Sequence, residues 1–175
     1  MPNVPSFIPT VSMASTAMKA GGGALKKIGK RFKEAVKKSK IKSLRTPDGK
    51  AIINSKYRGG LSPKGLEKGH VVPIKKNGYP DFSKHYYPTK KPPPPVRITM
   101  TGDRAADFRE ANRRSGFKDG TPEGYTWHHS ENTRMTKDGG MTCEMQLVET
   151  DVHDAVKHSG GCQKYRAIPG NEGAY

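Results

Sequence analysis

The sequence predicts an α+β protein: a small unit of strands and helices in the carboxy-terminal half, preceded by a basic, partly disordered amino-terminal region. Three observations predict it. Hydrophobic residues make up only 32% of the 175 residues, beside 20 glycines and 14 prolines, too little apolar material for a core along the whole length. Apolar alternation and capped helical stretches are concentrated after residue 95. Lys plus Arg number 32 against 16 acidic residues, a formal net charge of +16, which points to a polyanionic partner: nucleic acid or an anionic membrane surface. No apolar run approaches the ~20 residues of a membrane span. The amino terminus lacks the charged start and compact apolar stretch of a secretory signal, so export would need another route.

Residues 1–23 carry Pro and Ser, end in GGG, and are expected to form a disordered tail. Residues 24–42 place Leu25, Ile28, Phe32 and Val36 at helical spacing, with lysines and Arg31 on the other face. This predicts a basic amphipathic helix that could lie on a membrane surface, on phosphates, or on the main domain. Through residue 69 the chain then reads as linker, and short strands are expected around 51–53 and 70–74. The Pro run 92–95 is expected to be a stiff extended spacer.

In VRITMTG (96–102), Val96, Ile98 and Met100 alternate as in a strand. DRAADFREANRRSG (103–116) reads as a helix with Ala106, Phe108, Ala111 and Asn112 inside it and Gly116 as its stop. YTWHH (125–129) reads as a strand, SENTRMTKDGG (130–140) as a long turn, and MTCEMQLV (141–148) as the returning strand. ETDVHDAVKHSGG offers Thr150 as N-cap, a helix of roughly two turns, and Gly160-Gly161 as its stop.

A hairpin followed by a helix can bring separated histidines together. His128 and His129 close one strand, and His153 sits on the helix that crosses back. Side chains at 128 and 129 nominally point to opposite faces, so a twist or a strand end is needed for both to enter one site. Three imidazoles beside Asp151 and Asp154 could hold a divalent ion and leave one nitrogen as a base. His158 lies about 140° around an ideal helix from His153 and joins only if the helix ends near it. The alternatives stay open: isolated histidines are commonly structural, Trp127 reads as a packing residue, and Cys143 and Cys162 could pair or join a structural zinc site. No paired CxxC supports that zinc site.

GYTWHH…MQLVETDVHDAVKHSGG resembles the WHH family of toxin nucleases in the HNH/endonuclease VII superfamily. NGYPDFS (77–83) and MTGDRAADFREAN (100–112) resemble its lead-in, so the resemblance spans about residues 70–163 and leaves 164–175 as a tail. It implies a ββα-metal (His-Me finger) nuclease core. By likeness to nuclease colicins, it implies His129 as general base, His128 and His153 as metal ligands, and His158 as a further ligand or phosphate contact. Gln146 stands where many relatives place an Asn that orients the base. The segment between the strands looks like a loop insertion from which Arg134 and Lys137 reach phosphates, with Lys157 as a further substrate contact.

The implied activity is metal-dependent hydrolysis of DNA, with RNA open, using one divalent ion (Mg, Mn, Ni or Zn). The implied setting is bacterial antagonism: a toxin domain delivered without a classical signal peptide into the target cytoplasm, and neutralised by a cognate immunity protein. Two other classes compete. One is a non-catalytic basic nucleic-acid-binding protein with structural or zinc-binding histidines. The other makes residues 24–42 the active part, as a membrane-active cationic helix.

Overall fold

A computed structural model of the chain describes residues 42–88 and 95–175. The expected tail at 1–23, nearly all of the amphipathic helix at 24–42 and most of the Pro run at 92–95 lie outside the described residues.

Three strands form the sheet: β1 (Val96–Thr99), β2 (Tyr125–Met135) and β3 (Met141–Glu149), all antiparallel in the order β1-β3-β2. β2 is therefore an edge strand. The expected long turn at 130–140 is corrected: residues 130–135 continue β2, and the chain reverses over 136–140, where the Thr136 N–H reaches the Gly140 carbonyl at 2.9 Å. What the sequence disguises is a bulge. His129 pairs with Met145 and Thr133 with Cys143, so Ser130, Glu131 and Asn132 together oppose Glu144. Polar and charged residues along this bent stretch read as loop, although its backbone is in the ladder.

Each sheet face has its own core. Ile98, Trp127, Cys143, Met145 and Leu147 face α2 (Arg104–Ser115), whose Ala111 packs among them. On the other face Val148 joins Val72, Phe82, Val152 and Val156. Alternation along β3 makes the division: 143, 145 and 147 point one way, 146 and 148 the other.

α2 runs as its sequence predicts. The Asp103 carboxylate accepts from the Ala106 N–H at 2.9 Å, and Gly116 closes the helix in the left-handed region at φ 78. Trp127 is the packing residue expected, 2% exposed, and its Nε1–H donates to Asn112 Oδ1 at 2.7 Å, tying β2 to α2.

Residues 42–82 form no strand; the expected strands at 51–53 and 70–74 are replaced by isolated bridges at Arg45–Ala51, Leu61–Pro73 and Ile74–Pro80. The Gly- and Pro-rich sequence interrupts any longer pairing. It does support α1 (Pro63–Glu67), whose Ser62 side chain accepts from the Gly65 N–H. This region is more than linker: Ile52, Val72, Ile74 and Phe82 are buried, and Asn54 hydrogen-bonds the Lys157 carbonyl.

After β3, α3 (Thr150–Ala155) is shorter than expected and is preceded by Glu149, with Thr150 its first residue rather than its cap. Gly160-Gly161 does not stop it. The pair opens α4 (Gly161–Arg166), which lies across the bulge of β2. Two glycines are needed there for space. A Cβ on Gly160 would stand 2.6 Å from the His129 carbonyl oxygen, and one on Gly161 would stand 2.7 Å from Cys143 Sγ and 2.9 Å from the Ser130 carbonyl oxygen. We therefore expect Gly161→Ala to destabilise the protein by about 1–3 kcal/mol through overpacking, read as an earlier midpoint in chemical denaturation at unchanged slope.

Candidate active site

His128 and His129 leave β2 on opposite faces, as strand geometry dictates. His128 lies across from Gln146 in the register and enters the Phe82 face, where it is 3% exposed. There α3 brings His153 and the connection after α3 brings His158. The metal-coordinating atoms of these three histidines all lie within 4.8 Å of one another. Among the described residues this is the group that could hold an ion, and it contains no cysteine. His158 joins because the helix ends at Ala155, freeing it from the position an extended helix would impose.

The aromatic floor of the group is Phe82. Its ring centroid lies 5.2 Å from that of His128, 5.7 Å from His153 and 5.5 Å from His158. In NGYPDFS this residue reads only as an aromatic beside a turn, and its role is visible only in the folded chain.

A divalent ion is implied here, and the donor set fits one. Burial holds all three imidazoles toward the neutral form: it lowers His128 far below the ordinary histidine value, with the neighbouring His158 and His153 adding to the effect, lowers His153, and brings His158 down to about 4. Neutral imidazoles offer lone pairs. His158 Nδ1 donates to the Val156 carbonyl at 2.7 Å, so in the neutral ring the lone pair is on Nε2. That Nε2 lies 3.3 Å from His128 Nδ1, close to the about 3.3 Å separating two nitrogens on one tetrahedral zinc.

His129 enters the α2 face. Its Nε2 lies 2.8 Å from Asp107 Oδ2, and its ring stacks on Phe108 at 5.9 Å. Asp107 is completely buried. Burial alone would push its carboxyl up, but hydrogen bonds from His129, Tyr175 and Thr101 outweigh this and hold it below the usual carboxylate range. An ionised carboxylate only accepts, so His129 Nε2 carries a proton, and the neutral tautomer has its lone pair on Nδ1.

Asp107 thus holds the position relative to His129 that was expected of Gln146. Gln146 faces the other side of the sheet, where its Nε2 donates to Glu144 Oε1 at 2.8 Å. The alternation that separates His128 from His129 also removes Gln146, paired with His128, from the neighbourhood of His129. Asp107 was missed because an acidic residue on a charged helix reads as solvent-facing.

The two faces meet at the free edge of β2. A cleft of about 410 Å³ there is lined by His129, Phe108 and Arg104 from one side and by His153, His158 and Arg166 from the other. Arg134, Lys137 and Lys157 do not line it. Arg134 and Lys137 sit toward the far tip of the hairpin. Both cysteines are free, and burial raises both thiols, Cys162 to about 11, which disfavours the thiolate a metal or nucleophilic role requires.

Residues 117–167 match the model of the WHH family, described as a nuclease of the HNH/ENDO VII superfamily with conserved WHH. That segment, which is similar to the WHH family, contains Trp127, His128, His129, His153 and His158. No curated protein and no solved structure gives a significant match to the chain.

The lowered imidazoles set a pH dependence. Unfolding returns each of them toward the ordinary value near 6.5, so the unfolded chain binds more protons below that pH. Their contribution is complete above about pH 6.5 and is lost as pH falls toward about 4. The melting temperature of metal-free protein should fall across that window, and His158→Ala should flatten the dependence.

Proposed function

We propose that this chain is a metal-dependent endonuclease that hydrolyses phosphodiester bonds of nucleic acid, with DNA as its first substrate. The observation that carries the reading is the cleft at the edge of β2, which brings His153 and His158, two members of the three-imidazole group, to the same space as His129, itself held by a buried carboxylate. The WHH match supports the reaction class.

In this reading His129 is the general base. With Nε2 tied to Asp107, Nδ1 takes a proton from water, and Asp107 stabilises the imidazolium that forms. The activated water attacks phosphorus in line and the 3′ oxygen departs. His128, His153 and His158 would hold the ion, which when bound offsets negative charge on the phosphate and the leaving oxygen. Phe82 keeps the three rings packed, so their orientation is fixed before an ion arrives.

Arg104 and Arg166 are the cations we assign to the substrate in the cleft. The Arg104 guanidinium has no hydrogen bond or ion pair with the described residues, and that of Arg166 has one hydrogen bond of 3.4 Å, to Gln163 Oε1. Two guanidiniums without a carboxylate partner suit a phosphate backbone. Arg134, Lys137 and Lys157 remain as outer, non-specific contacts in keeping with the +16 charge. A toxin role belongs to the same proposal, with delivery into target cells and a cognate immunity protein of acidic surface; the WHH match and the basic charge are what favour it.

Nicking of supercoiled plasmid with Mg²⁺, Mn²⁺, Ni²⁺ or Zn²⁺, against a chelator control, tests the proposal. Cleavage should require a divalent ion, and His129→Ala should reduce the rate by roughly 10²–10⁴ while plasmid binding persists. Arg104→Ala and Arg166→Ala should weaken binding and reduce its salt dependence. Binding without cleavage of DNA or RNA under every metal would return the protein to the binding class.

A further inference from the structure

Asp107 is held by more than His129. Its Oδ1 accepts from the Thr101 N–H at 3.0 Å and the Thr101 hydroxyl at 2.8 Å. Its Oδ2 accepts from His129 Nε2 and, at 2.5 Å, from the hydroxyl of Tyr175. The residues after α4, expected as a tail, return over the amino end of α2 to bring this phenol in. Turns link Ile168, Asn171 and Ala174, and the Tyr175 N–H donates to the Gly102 carbonyl at 2.9 Å.

Tyr175 is fitted to that place. Its ring lies 5.2 Å from His129 and 5.6 Å from Tyr165. Burial and the Asp107 carboxylate push its phenol far above the ordinary value, so it remains a donor at any working pH. Asp107 and Tyr175 both lie outside residues 117–167, so this support comes from parts of the chain that the family match does not reach.

We propose that Tyr175 is a positioning residue for His129, acting through Asp107. Phenol and imidazole share Oδ2, so the phenol fixes the carboxylate in the orientation that binds Nε2 and leaves Nδ1 as the free nitrogen. With the hydroxyl removed, Oδ2 keeps a single donor, and the carboxylate can turn away from the imidazole. The segment 167–175 is then part of the catalytic unit. The proposal rests on the reading of His129 as base, and its test separates the two.

Tyr175→Phe in the full chain keeps the ring and deletes one hydroxyl. We expect kcat for nucleic-acid cleavage to fall roughly tenfold or more, with KM and metal affinity within about twofold of wild type, as for other supports that orient a reacting group. In ¹H–¹⁵N spectra of the metal-free chain, the Nε2 proton of His129 should be protected in wild type and exchange faster in Tyr175→Phe. A wild-type kcat in Tyr175→Phe overturns the proposal, as does a kcat loss matched by an equal loss of metal affinity or by a lowered melting transition. If the wild type cleaves nothing, the base reading fails, and the Nε2 proton decides the positioning alone: faster exchange in the variant sustains it, equal protection overturns it.

Discussion

Consecutive residues of a strand point to opposite faces, and everything around this site answers to that constraint. A pair of adjacent histidines cannot enter one pocket through the face of a sheet. β2 lies at the sheet edge, where a single cleft reaches round it from His129 to His153 and His158, the neighbours of His128. His128 is then served by Phe82, α3 and the connection after it, and His129 by α2. Gly160-Gly161 lets α4 close against the backbone of β2 beside both. Had β2 been the central strand, the two imidazoles would be separated by a ladder of hydrogen bonds.

Because the faces differ, so does the chemistry. On one, burial among aromatic and aliphatic groups favours the neutral form of three histidines and leaves ring nitrogens within 4.8 Å of one another. On the other, a buried carboxylate fixes one proton on His129 and so decides which nitrogen is left to react. In the proposed mechanism, identical side chains one residue apart serve a cation and a proton because their environments differ. Asp107 would be costly to bury by itself; its donors from Thr101, His129 and Tyr175 make it tolerable and also hold it still.

Much of this was legible in the sequence, and the remainder was hidden for physical reasons. β1 and β3 show through alternation and α2 through Gly116 as its stop, which are local signals. The second half of β2 does not, because SENTRM carries the residues of a turn while its pairing depends on β3 and the bulge. His128, His153 and His158 could be named from their types and order. Their common floor, Phe82, could not, since it is fixed by tertiary packing alone. Asp107 and Tyr175 were invisible for a related reason: a charged helix residue and a distant tyrosine become partners of His129 only when the chain is folded. Gln146 was chosen by analogy of position, and strand alternation places it on the wrong side.

The central claim is that His128, His153 and His158 form one cation site separate in kind from His129. Titrating the metal-free full chain with Zn²⁺ or Ni²⁺ by calorimetry tests it most directly. One ion per chain is expected, with binding lost or strongly weakened in His153→Ala and preserved in His129→Ala. Absence of saturable binding, or binding that survives His153→Ala and disappears with His129→Ala, would contradict the account.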